Sequence, residues 1–179
     1  MAEQAFKRAR AAGVPIVFGS GATSATIPHG KQADQFTHYA RWGMTPDEVA
    51  AASPEPLVDA SQETGIGPEA SLTVQRGQKS LLRGSWVSGE LKFTSYFLFT
   101  ADRRLASVKL LLSDSSQAKS LKAALEQKYG KPEVGPSGIE FITWRTEAET
   151  VYFMGTMEGS KVPVTVHYVS RKLPSTEGL

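Results

Sequence analysis

Residues of the types used in hydrolysis are grouped in a glycine-rich loop at residues 19–30 and in the segment after it. Hydrolysis without a metal requires a nucleophile, a base within hydrogen-bond reach of it, and a group that orients the base. The candidates are Ser20, Thr23 and Ser24 as nucleophiles, His29 and His38 as bases, and Asp34 and Asp47 as orienting carboxylates. These residue types predict a catalytic site for ester or amide bonds, with Ser20 or Ser24 beside His29.

The same loop carries groups suited to holding a substrate. Backbone N–H groups beside Gly19 and Gly21 suit an oxyanion or a phosphate, and we assign Trp42 to substrate binding with them. The run GSGATS lacks the spacing of a Gly-x-Ser-x-Gly nucleophile elbow, and no Gly-Lys-Ser/Thr follows it. The alternative interpretation is structural: the small residues form a turn, His29 contacts backbone, and His38 packs on a helix surface.

The composition restricts the class of protein and of partner. The chain has 179 residues, of which 40% are hydrophobic and 21% charged, and a formal net charge of +2. These values are typical of a globular domain, and so small a charge argues against nucleic-acid binding. The absence of cysteine excludes thiol catalysis, disulfides and thiolate metal sites. We expect a small-molecule substrate and no cofactor.

No targeting or membrane-spanning pattern is present in the sequence as given. Its first residues are charged and carry no apolar core typical of a secretory signal. No apolar run approaches the roughly 20 residues that cross a bilayer. We therefore expect a soluble, cytoplasmic protein without a membrane partner.

Helix and strand patterns alternate in the first third of the chain. Thr45 predicts a helix N-cap, with Pro46 at the first helical position and Glu48 completing a capping box. Three earlier elements are predicted: a helix over residues 2–13, an apolar strand over residues 14–18, and a second helix over residues 31–43. This order indicates a short α/β segment.

The stretch AGVPIVFGS…PHG…F…WGMTPDEVAAAS, within residues 11–53, resembles the last part of the metal-dependent amidohydrolase barrel. The similarity is to its imidazolonepropionase and prolidase-like branch. In that family a strand of this type ends in Gly-Thr-Asp, whose aspartate binds metal and works as general base. A Pro-His-Gly loop, a helix and a Gly-Met-Thr-Pro helix start follow. The resemblance implies a hydrolase ancestry for this segment and leaves the remainder of the chain unassigned.

The chain departs from that family at the metal site. Gly21 follows Gly19 and Ser20 where the family pattern has its aspartate, and no His-x-His pair occurs. A hydrolytic zinc uses three protein ligands and an open position, and an eight-stranded barrel needs about 200 residues or more. Set against these departures, the resemblance implies a degenerate fragment that has lost its metal chemistry, and we expect no metal.

The chain is predicted to divide into four parts. The amidohydrolase-like helix–strand–helix segment occupies residues 1–53. A linker follows at residues 54–71, where proline, glycine, serine and glutamate occur without periodicity. An antiparallel-sheet domain covers residues 72–173, and residues 174–179 form a tail.

Strand patterns with a period of two dominate the second domain. A hairpin is predicted around Ser88, and in the last strand His167 points away from the valine side. One helix interrupts the strands, capped by Ser115 or Ser116 and ended by Gly130. The predicted fold class is α+β: a short α/β segment followed by an antiparallel sheet of three strands, helix and three strands, with the helix packed on one face.

Two functions from different classes follow. The first is a small metal-independent hydrolase of ester or amide bonds that uses the loop at residues 19–30. The second is a non-catalytic α+β binding or oligomerisation module that carries a degenerate amidohydrolase fragment. An apolar strand at residues 14–18 without a parallel neighbour favours a homo-oligomer in either case. A separation of about 3 Å between a His29 nitrogen and a serine hydroxyl would favour the hydrolase.

Overall fold

The structure is a computed structural model that describes residues 40–63, 77–134, 141–155 and 163–172. Within these ranges an eight-stranded antiparallel sheet packs against two α-helices, so the predicted α+β class is confirmed. The elements, in chain order, are α1 (Pro46–Ala52), β1 (Val58–Asp59), β2 (Lys79–Ser88), β3 (Leu91–Phe99), β4 (Leu105–Leu112), α2 (Ala118–Tyr129), β5 (Glu133–Val134), β6 (Phe141–Arg145), β7 (Glu149–Met154) and β8 (Thr165–Ser170).

The strand order of the sheet is β1-β2-β3-β4-β8-β7-β6-β5. Strands β1 to β4 are neighbours in chain order, as are β5 to β8, and each neighbouring pair is antiparallel. The two halves meet at the centre, where β4 pairs with β8. Helix α2 lies between β4 and β5 in the chain, and it therefore connects the centre of the sheet with one edge.

The predicted arrangement of three strands, helix and three strands is not matched, because each half of the sheet has a fourth strand. β1 pairs with β2 through Val58 and Asp59, and β5 pairs with β6 through Glu133 and Val134. Strands of two residues are too short to show a period-two pattern. β1 lies inside the segment predicted as a linker, residues 54–71, whereas the division of the chain into four parts stays a prediction.

The start of α1 follows the predicted capping box. The backbone N–H of Thr45 donates to Glu48 Oε2 at 2.8 Å, and the Glu48 N–H donates to Thr45 Oγ1 at 3.3 Å. Pro46 stands in the first turn, where a missing N–H costs nothing. The backbone hydrogen bond from Thr45 lowers the pKa of the Glu48 carboxyl. Val49 anchors the helix to the sheet with no exposed surface.

The hairpin predicted around Ser88 joins β2 to β3. Ser88 and Leu91 are direct cross-strand neighbours, so the turn contains two residues. Its first residue, Gly89, has φ +61°, and two-residue hairpin turns need this left-handed backbone because its twist matches that of the strands. The hairpin is confirmed.

The two faces of the sheet differ in composition. We call the side covered by α1 and α2 the helix face, and the opposite side the far face. Every second residue of the strands points to the helix face, and the core there is built mainly from the following side chains: Phe93, Phe97, Phe99, Val108, Leu110, Leu112, Ile142, Trp144, Val151, Phe153, Val164 and Val166. Burial of such apolar side chains, each worth roughly 1.5–3 kcal/mol, is the main stabilising term.

Helix α2 packs its apolar stripe on this core through Leu121 and Leu125, both at most 5% exposed. Its predicted cap by Ser115 or Ser116 is wrong. A 3₁₀ turn precedes the helix, and Asp114 caps that turn by accepting from the Ser116 N–H. A carboxylate is a stronger acceptor than a hydroxyl, which explains the shift of the cap.

The C-terminal end of α2 is fixed by two polar contacts. Gly130, at φ +80°, ends the helix as predicted. Its carbonyl oxygen accepts a hydrogen bond of 2.9 Å from the indole Nε1 of Trp144. The Tyr129 hydroxyl donates to Glu149 Oε1 at 3.3 Å, and Glu149 is only 7% exposed. These contacts attach the end of the helix to β6 and β7.

Candidate functional site

The residues predicted to act in catalysis or to bind substrate lie outside the described residues, with two exceptions. Outside lie Ser20, Thr23, Ser24, His29, Asp34, His38, Gly19 and Gly21. The exceptions are Asp47, which is exposed in the first turn of α1, and Trp42, which stands in the turn before α1 and packs, partly buried, against the core of the helix face. The catalytic roles and the role of Trp42 in substrate binding therefore stay predictions.

A line of polar side chains crosses the far face at right angles to the strands, and we call it the polar row. Each member is the direct cross-strand neighbour of the next. From β2 to β6 its members are Arg83, Tyr96, Lys109, His167, Tyr152 and Thr143. Neighbouring side chains in such a row start about 4.5–5.5 Å apart, so the row brings titratable groups together from five different strands.

The centre of the polar row is enclosed. Lys109 is 1% exposed and His167 is 3% exposed, although both occupy the face opposite α1 and α2. The rings of Tyr152 and His167 face each other obliquely, with centroids 6.3 Å apart and planes at 46°. Polar groups are costly to bury unless their hydrogen-bonding capacity is met, and a buried charge is costlier still. The row is therefore the part of the sheet where hydrophobic packing alone does not explain the residue types.

One end of the polar row contains an ion pair with a tyrosine beside it. Arg83 Nε lies 2.8 Å from Glu63 Oε1, and the Tyr96 hydroxyl donates to the same carboxylate. Burial of Tyr96, followed by the negative charge of Glu63, raises the pKa of its hydroxyl. The side chains of Arg83 and Glu63 are 43% and 36% exposed, so this ion pair adds at most about 1 kcal/mol to stability.

The other end of the row has a second ion pair. Thr143, the last member of the row, neighbours Glu133 on β5. The Glu133 carboxylate pairs with the guanidinium of Arg145, one step further along β6 on the same face. Both ends of the row therefore combine a carboxylate with an arginine, whereas Lys109 and His167 occupy its centre.

Ser107, two residues before Lys109, donates its hydroxyl proton to Gln78. Ser107 stands two residues before Lys109 on β4, is fully buried, and lies on the far face. Its hydroxyl donates to the Gln78 side-chain oxygen at 2.6 Å. A hydroxyl has one proton to donate, so Ser107 does not form with His167 the nucleophile–base hydrogen bond that a hydrolytic site requires. The described contacts therefore do not make Ser107 a nucleophile with His167 as its base.

No protein-family model, curated protein or solved structure matches this chain. The functional conclusion therefore depends on the geometry of its own residues. Within the described ranges, no group of three or more His, Cys, Asp or Glu side chains is placed to hold a metal ion. Among the helices that the structure describes, none is both long and apolar enough to cross a membrane.

Sequence reasoning did not find the polar row as a unit. It placed His167 on the side of its strand opposite the valines, which the structure confirms, but it gave no role to Lys109. The available signal was a lysine inside the mostly apolar run LASVKLLL, because a strand buried on both faces leaves an ammonium group no solvent. The alignment of Lys109 with His167 depends on the pairing of β4 with β8, which strand periodicity does not specify.

Proposed function

We propose that this chain is a non-catalytic α+β binding module and that its far face is the ligand-binding face. One observation carries the proposal: a continuous polar row crosses six strands on the face opposite an apolar, helix-covered core. The helix face contains the larger of the two apolar clusters. The far face holds Lys109 and His167 buried at the centre of the sheet, and buried titratable residues are enriched at functional sites.

The types of side chain in the row favour recognition over catalysis. The row offers ammonium, imidazole and phenol groups, which donate hydrogen bonds. The buried serine closest to its centre, Ser107, donates to Gln78. A sheet built from long strands also holds these groups on rigid backbone, which suits a pre-formed binding surface.

A metal-independent hydrolase remains the competing proposal. It is supported by the residue types of the loop at residues 19–30 and by the resemblance of residues 11–53 to amidohydrolases, and none of the described contacts adds to that support. Within either proposal, we also predict a cytoplasmic location, a homo-oligomer and no nucleic-acid partner.

The two proposals are separated by two assays on the full chain. The first measures turnover of short p-nitrophenyl esters by chelator-treated protein and by the Ser20→Ala, Ser24→Ala and His29→Ala variants. The second screens small metabolites for compounds that raise the midpoint of thermal unfolding, and it repeats each positive result on Lys109→Met. Lys92→Met is the matched control, because Lys92 lies on the far face of β3 but is exposed.

The binding module predicts no turnover that depends on the loop, and at least one compound whose stabilising effect is lost in Lys109→Met and kept in Lys92→Met. Turnover that disappears in a loop variant would contradict a non-catalytic function. Stabilisation that is equal in the wild type and both lysine variants would contradict the far face as the binding face.

A further inference from the structure

We draw no further inference here: the strongest candidate, the outer edge of β2 at residues 85–88, which lies beyond the pairing with β1 and carries the exposed Val87, is a sheet edge for which nothing in the described part of the chain shows what covers it.

Discussion

Lys109 on β4 and His167 on β8 are direct cross-strand neighbours at the centre of the sheet, where only 1% and 3% of their surfaces are exposed. Their pairing joins the two halves of the fold on the far face, just as Leu110 and Val166 join them on the helix face. One side of this central strand pair is therefore apolar, and the other carries two basic residues.

Adjacent leucines on β4 should differ in their contribution to stability. Leu110 points to the helix face and is 2% exposed, whereas Leu111 points to the far face and is only partly buried. We expect Leu110→Ala to lower the free energy of unfolding by about 2–5 kcal/mol, because it leaves a cavity in the core. Leu111→Ala should cost less than half of that. Urea denaturation measures both, and equal losses would contradict the assignment of the two faces.

The capping box of α1 can be tested with one pair of variants. Thr45→Ala removes the hydroxyl that accepts the Glu48 N–H, and we expect a loss of about 1 kcal/mol. Thr45→Ser retains an acceptor at the N-cap and is the control, for which we expect most of the stability to remain. Thermal unfolding of the three proteins decides the matter, and a Thr45→Ala variant as stable as the wild type would be evidence against the cap.

The contact between Tyr129 and Glu149 should stabilise the end of α2. Tyr129→Phe removes the donor to a carboxylate that is 7% exposed, and we expect a loss of about 1–2 kcal/mol. A double-mutant cycle with Glu149→Ala separates this bond from general packing effects. We expect a coupling of about 0.5 kcal/mol or more between the two sites, measured by urea denaturation, and strictly additive losses would show that the bond contributes nothing.

Tyr96 gives the fold a pH dependence on the alkaline side. An unperturbed tyrosine ionises near pH 10, and burial together with Glu63 raises the pKa of Tyr96 in the folded state. Above pH 10 the unfolded chain loses a proton that the folded chain retains. The contribution to stability is therefore fully present below about pH 10 and is lost as the pH rises through the folded pKa.

Two variants isolate this effect. In Tyr96→Phe, we expect a smaller loss of stability between neutral and strongly alkaline pH than in the wild type. Glu63→Gln should bring the pKa of Tyr96 part of the way down, because burial, the larger cause, remains. Urea denaturation at a series of pH values, with the ultraviolet absorbance of the phenolate as a second observable, makes the measurement. Identical pH profiles for the wild type and Tyr96→Phe would contradict the proposed origin.

Local features of the fold could be predicted from the sequence because their causes are local. Thr45, Pro46 and Glu48 specify a helix start within four residues, and Gly130 marks the end of α2 through its backbone conformation. The alternation of Phe93 and Phe97 with polar residues is a local signal of the same kind, because each strand residue points to the side opposite its neighbours.

The features that the sequence did not predict depend on contacts between distant residues. Val58 and Asp59 become a strand only because β2 provides an edge for them to pair with. The partnership of β4 with β8 sets which side chains stand beside Lys109, and no local pattern encodes that register. Asp114 caps the turn before α2 because it competes better than the two serines after it. The members of the polar row become neighbours through the register of the strand pairs. The row could therefore be identified only from the structure of the sheet.

Ligand binding at the far face is tested by mapping a bound compound on the full ¹⁵N-labelled chain. A compound that stabilises the wild type in the screen is titrated while the backbone amide chemical shifts are followed. We expect saturable changes at Lys109, His167 and Tyr152, with smaller changes at helix-face positions of α2 such as Leu121. Changes confined to α2, to α1 or to the loop at residues 19–30 would contradict it.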